Sequence, residues 1–125
     1  MKKLLIWGAG DQGLVTLECA LAMNAYEQID FLEIKEKGSR KIINHTVFKE
    51  SEFDKVVKLY DEVIVATGSN DLREEKIKML LAFGIPLATI VHPTALISLS
   101  AKIGSGTTIL ANVIININTK VGIGC

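Results

Sequence analysis

An aliphatic, β-branched residue returns at every sixth position in the last third of this chain: Val91, Ile97, Ile103, Ile109, Ile115 and Val121. A helix repeats its apolar face every ~3.6 residues and a half-buried strand every second one, so neither template produces this beat. Fixed-period self-similarity marks a repeat architecture. Four residues after each beat stands a compact side chain: Ala95, Ala101, Thr107, Val113, Thr119 and Cys125. The paired constraint predicts a triangular parallel β-helix, in which each unit supplies a short flat side and a corner, with the large aliphatic inside and the compact residue at the crowded turn. Gly104 and Gly122, directly after their beats, and Asn112, Asn116 and Asn118 are the predicted corner residues. A β-meander would instead alternate with period two and carry hairpin turns.

Upstream of Val91 the pattern changes. Lys3 to Trp7 is an apolar run closed by Gly8-Ala9-Gly10, and Leu14, Leu17 and Leu21 mark one face of a helix over Gln12 to Asn24. A strand at Ile29 to Glu33 precedes "IKEKGSRK", which reads as an exposed loop with a local positive excess. Ser51 with Asp54 resembles a capping box for a short helix. "EVIVATG" reads as a buried parallel strand, Asn70 as the cap of a helix running to Phe83 and stopped by Gly84 and Pro86, and "LATIV" as one more strand. Strand and helix alternating three times predicts an open parallel sheet with crossover helices. The expected fold is therefore α/β: a Rossmann-like sheet with flanking helices over residues 1–90, followed over 91–125 by the first coils of a β-helix.

Fourteen basic side chains balance fourteen acidic ones, so no overall field draws the chain to nucleic acid or to anionic lipid. No apolar run approaches the roughly 20 residues of a membrane span. Cys19 and Cys125 lie far apart with no zinc-ligand spacing, which makes a reduced, cytoplasmic protein the expectation.

Gly8-x-Gly10-x-x-Gly13 sits after the first strand and opens a helix, where a phosphate-binding turn belongs. Glu33 ends the second strand about 20 residues further on, at the distance of a ribose contact. Asp11 inside the turn repels a pyrophosphate unless it points to solvent or caps the helix. Thr67, Gly68, Ser69 and Asn70 follow the third strand at the same sheet edge, with Arg73 one turn into the next helix. The competing reading makes these residues a tight turn, an N-cap and a surface arginine. His92 falls in "VHPTA" at the expected hinge between the two folds, and His45 in or near a loop.

Taken together, "IWGAGDQG", "FLEI", "VIVATGSNDLREEKI", "IVHPTALIS" and the hexapeptide run resemble the bacterial sugar acetyltransferases of the PglD and NeuD type over the whole chain. The resemblance implies a domain that binds a nucleotide sugar, and a left-handed β-helix that forms homotrimers and binds acetyl-CoA between subunits. It aligns Gly10, Asp11 and Gln12 with the substrate-contacting turn, Glu33 and Ile34 with an acidic pair, and Gly68 to Asn70 with the third loop. The sequence departs from the pattern in three ways. Asp11 and Gln12 stand where the family carries glycine and histidine, Ile34 replaces the second acid, and the catalytic histidine with its acidic partner belongs to coils beyond the position of Cys125.

Six hexapeptide units make about two coils, whereas repeat folds need three or more with a cap. The expectation is thus an N-terminal portion of an acetyltransferase of polysaccharide or sialic-acid chemistry, which holds the sugar while its catalytic residues lie elsewhere. A non-catalytic nucleotide-sugar binding module and an NAD-dependent oxidoreductase are the alternatives.

Overall fold

The N-terminal apolar run forms β1 (Lys2–Trp7), buried from Leu4 to Trp7 as a central parallel strand requires. The structure, a computed structural model, describes residues 1–34, 40–42 and 44–125. Gly8 turns the chain into α1 (Asp11–Met23), which Asn24 closes in the left-handed conformation at φ 52°. The helix buries Gly13, Thr16, Leu17 and Ala20, while Leu14 and Leu21, expected on its inward face, are exposed. Close approach is the reason: a Cβ on Gly13 would collide with the Gly8 carbonyl, leaving no space for leucines between helix and strand.

β2 (Tyr26–Glu33) starts at Tyr26 rather than Ile29 and pairs in parallel with β1. The expected exposed loop lies mostly outside the described residues. Within them, β3 (Arg40–Ile42) runs antiparallel to β4 (His45–Lys49), so His45 opens a strand. A 3₁₀ turn at Glu50–Glu52, α2 (Phe53–Val56) and a second 3₁₀ turn at Val57–Leu59 follow. The cap sits upstream of Ser51, where the Lys49 amide donates to Glu52 Oε1 at 3.3 Å. After β5 (Glu62–Val65) comes α3 (Asn70–Ala82), capped by Ser69, whose hydroxyl accepts from the Leu72 amide at 3.3 Å. Asn70, expected as the cap, is the first helical residue instead.

The sheet order is β3-β4-β2-β1-β5, parallel apart from β3. Leu4, Ile6, Leu17, Phe31 and Ile64 pack on one side of it, and Leu5, Trp7, Leu32, Phe53, Val63 and Leu80 on the other.

"LATIV" is divided between the two folds. Leu87 bridges Val63 at the sheet edge, whereas Ile90–Val91, β6, pairs with Thr108–Ile109, β9. His92 already belongs to the coils, its amide donating to the Ile109 carbonyl at 2.9 Å, so the handover precedes the expected His-Pro hinge. β7 (Leu96–Ile97) pairs in parallel with β10 (Ile114–Ile115), and β8 (Lys102–Ile103) with β11 (Lys120–Val121). Every pair joins residues 18 apart, which is three six-residue sides per coil. All six beats therefore fall on strands, with Ile109 and Ile115 buried between coils.

The corners differ from expectation in detail. Left-handed backbone occurs at Gly106, Asn112, Asn118 and Gly124, each the third residue after a beat, and not at Asn116, Gly104 or Gly122. Gly104 is required by crowding instead: a Cβ there would stand 2.5 Å from the Gly122 carbonyl in the next coil. Hydroxyls tie the corners across coils, Thr94 accepting from the Asn112 amide at 3.0 Å and Ser100 from the Asn118 amide at 2.9 Å.

At the sheet's opposite edge the buried Asp30 accepts from Gln28 Nε2, the Thr46 amide and the Tyr60 hydroxyl, while Tyr26 donates to Glu62. Burial first, then the carboxylate partner, raises the ionisation of both phenols above the usual tyrosine range. A raised folded value contributes stability that is complete below the unfolded value of about 10 and is lost as pH rises toward the folded one. Melting temperature should fall above about pH 10, and less steeply in a Tyr26→Phe/Tyr60→Phe variant. Parallel alkaline melting curves for the two proteins would contradict this.

Candidate functional site

Three glycines shape the turn after β1, and they do different work. Gly8 holds φ 133° with the Ala66 carbonyl where a Cβ would go, and Gly13 lies against Gly8. Both are needed to pack the turn. Gly10 is different: it has extended backbone, and a Cβ on it meets nothing within 4 Å. The first α1 amides beyond it lack intrahelical partners, as at any helix start, and they face an anion favourably. Open space over a helix N-terminus at the carboxyl end of a central strand suits a phosphate.

Asp11 is exposed in the first helical turn, where its charge complements the helix dipole. Glu33 ends β2 at the same edge but is 3% exposed, which places its carboxylate within the protein wall. Ile34 packs into the apolar cluster on the α2 and α3 side. The loop after β5 is internally braced: Thr67 Oγ1 accepts from the Ser69 amide at 3.3 Å. A Cβ on Gly68, as on Gly10, would meet open space.

Arg73 is committed to the protein itself. Its guanidinium donates to the Thr67 carbonyl at 2.6 Å and to the Gly124 carbonyl at 3.4 Å, tying the loop after β5 to the coils. Beside it opens a cleft of about 190 Å³ lined by Gln12, Thr16, Val65 and Ala66 from the sheet region and by Thr108, Leu110 and Cys125 from the coils. The structure thus brings Gln12 and Arg73 together with coil residues, and leaves Ile34 apart. Thr108 and Leu110 went unrecognised in the sequence, although flanking a beat is the signal that their side chains point outward from the coil.

His92 Nδ1 lies 2.8 Å from the Thr94 hydroxyl at a coil corner, and His45 Nδ1 lies 2.5 Å from the Ile29 carbonyl at the far sheet edge. Among the described residues no group of three acidic, histidine or cysteine side chains forms a metal centre, and no helix is long and apolar enough to cross a membrane.

Comparison with solved structures matches both parts of this architecture. The acetyltransferase domain of PglB from Neisseria gonorrhoeae, in complex with acetyl coenzyme A, superposes with a TM-score of 0.85 at 29% identity, covering 98% of this chain and 59% of that one. A variant of perosamine N-acetyltransferase from Caulobacter crescentus, in complex with CoA and GDP-perosamine, gives 0.88 at 23% identity, covering 98% and 58%, and shares the fold. The chain thus spans about three fifths of the length of these structures. Residues 3–80, more than half of the chain, match the family model described as the PglD N-terminal domain, and the chain belongs to that family.

Proposed function

We propose that this chain is the sugar-holding part of an acetyl-CoA-dependent acetyltransferase acting on an amine or hydroxyl of a nucleotide sugar, in the biosynthesis of a surface polysaccharide or a sialic acid. The observation that carries this reading is the single cleft lined by Gln12 of the glycine turn, by Arg73 and by coil residues Thr108 and Leu110. A nucleotide seated on the turn directs its sugar into that cleft, against the coils on which the thioester is held. The acceptor nitrogen or oxygen attacks the thioester carbonyl, the C–S bond breaks, CoA leaves as the thiol, and a general base takes the acceptor's proton. Holding both substrates in register supplies much of the rate. The relatives named above are seen with acetyl-CoA, or with CoA and a GDP-sugar, which supports both substrate classes. Acetyl-CoA as donor also sets the reaction in the cytoplasm.

The reading divides the chain into a sheet domain at 1–90 and left-handed coils at 91–125, and makes the coils a homotrimer interface. In support, Leu96 and Ile114 stand in register on the outer face of β7 and β10, 66% and 65% exposed, with Leu99 and Ile117 stacked at the next corner. An apolar stripe of this kind marks an association surface. Ile114→Asp should lower the assembly state in analytical ultracentrifugation and leave the melting curve of the sheet region in place. An unchanged sedimentation coefficient would remove the coils from the interface.

Calorimetric titration with UDP, GDP, NAD and acetyl-CoA in parallel tests the main reading. Binding of UDP or GDP without NAD is the expected result. Binding of NAD alone would replace it with a dinucleotide-dependent function.

A further inference from the structure

The chain's one tryptophan, Trp7, is the last residue of β1 and stands directly before Gly8. Its indole is 1% exposed and its Nε1–H donates to Glu50 Oε2 at 2.7 Å. The same carboxylate oxygen lies 3.0 Å from Lys76 Nζ, which sits 4.7 Å from the centre of the Trp7 ring. The three side chains close a loop of contacts: indole to carboxylate, carboxylate to ammonium, ammonium to indole. Lys76 is only 6% exposed, although it belongs to a helix with ample solvent-facing positions.

Packing alone does not call for this arrangement. Taking the Lys76 ammonium out of water is costly even with the Glu50 carboxylate, itself one third exposed, beside it, and apolar side chains of similar volume generally hold a helix on a sheet as well or better. The position of the ring is informative. Trp7 is in register with Leu32, and Leu32 with Phe48, so a contact from Trp7 to Glu50 crosses the carboxyl end of β2. It thereby ties the glycine turn, the exit of β4 and α3 together on one side of the edge where the candidate binding residues gather. The cleft between sheet and coils opens beyond it, between Gln12 and Thr16 of α1 and Arg73, one turn before Lys76 on α3.

We infer that Trp7, Glu50 and Lys76 are positioning residues for the nucleotide site: they fix the glycine turn against the exit of β4 and wall the α2 side of the crevice, so that a bound nucleotide extends toward the coils. This rests on the nucleotide-binding reading above. The ring touches no ligand itself and acts through the backbone that Trp7 shares with Gly8 and Gly10.

The test uses the full chain with UDP and GDP as probes. In Glu50→Gln/Lys76→Met both charges are replaced by neutral side chains of similar size, so no charge is left without its partner. Trp7→Phe keeps an aromatic ring and removes the N–H donor together with part of the indole's bulk. The expected result for the double variant is a melting temperature equal to or above that of the parent, with nucleotide affinity weakened at least tenfold. Trp7→Phe should weaken binding by a smaller factor. In the parent, the lone tryptophan's emission should shift as nucleotide is added, and in the double variant that shift should be lost at matched occupancy. A merely structural ring would move the melting temperature and leave affinity alone. Parent-like affinity in a folded double variant would overturn the inference, as would parent-like affinity in Trp7→Phe should the double variant fail to fold. A parent that binds neither nucleotide would instead defeat the functional reading, and the inference with it.

Discussion

Gly10→Val is expected to leave the fold standing and to abolish nucleotide binding, whereas Gly13→Ala, a smaller change three residues away, is expected to destabilise the sheet region strongly. At Gly10 the backbone is extended at φ −88°, ψ −156°, which suits a β-branched residue, and a Cβ enters open space. The fold loses only the advantage of glycine over valine at an N-cap, about 1 kcal/mol. The added isopropyl group then occupies the volume that a phosphate needs against the helix amides. At Gly13 a methyl group falls on the Gly8 carbonyl, which is fixed in turn by Gly8's own amide donating to Leu32 at 2.8 Å. Neither side of that contact can give way without separating α1 from the sheet, at a cost of about 3 kcal/mol or more. Thermal melting and UDP or GDP calorimetry on the two variants separate the roles. Parent-like affinity in Gly10→Val would make the whole turn a packing device, and a parent-like melting temperature in Gly13→Ala would show that helix and sheet are less closely set.

This contrast also shows how far the sequence could be read. Three glycines in the right context point to a phosphate turn, but their spacing does not say which one faces a ligand. That depends on Ala66 and Gly8 backbone atoms brought in by the fold. In α1 the apolar spacing of Leu14, Leu17 and Leu21 identified a helix and misplaced its buried face, because small residues decide where a helix sits closest to a sheet. The six-residue beat was fully legible, since each beat must enter one narrow interior whatever its neighbours do. The positions flanking a beat point outward, and their roles depend on what docks there, so Thr108 and Leu110 emerged only with the cleft. Arg73 illustrates the same limit: a surface arginine one turn into a helix reads as a ligand contact, until the Thr67 and Gly124 carbonyls are found to occupy its guanidinium. The Trp7, Glu50 and Lys76 ring joins residues as far apart as 7 and 76, with no local pattern to announce it.

Ile109→Asp is expected to collapse the coils and, through them, part of the sheet region. Ile109 is 4% exposed and lies in register with Val91 between the two coils, so a carboxylate there is buried without a partner. Such a charge costs several kcal/mol, about the whole stability of a small domain. The damage does not stop at the coil. β6 carries Val91 opposite Ile109, and the preceding residue, Ile90, is fully buried in the apolar cluster beneath α1. Loss of the β6 and β9 pairing therefore withdraws a core residue from the sheet region. Ile123→Asp makes the same chemical change at a 60% exposed position and should shift stability by no more than about 0.5 kcal/mol. Hydrogen exchange on the two variants distinguishes a local from a shared collapse. Protection lost in the coils and in α1 together would mean that the two folds stand or fall as one unit. Loss confined to the coils would mean that the sheet region keeps its own stability, and that the seam through Arg73 can open without unfolding either side.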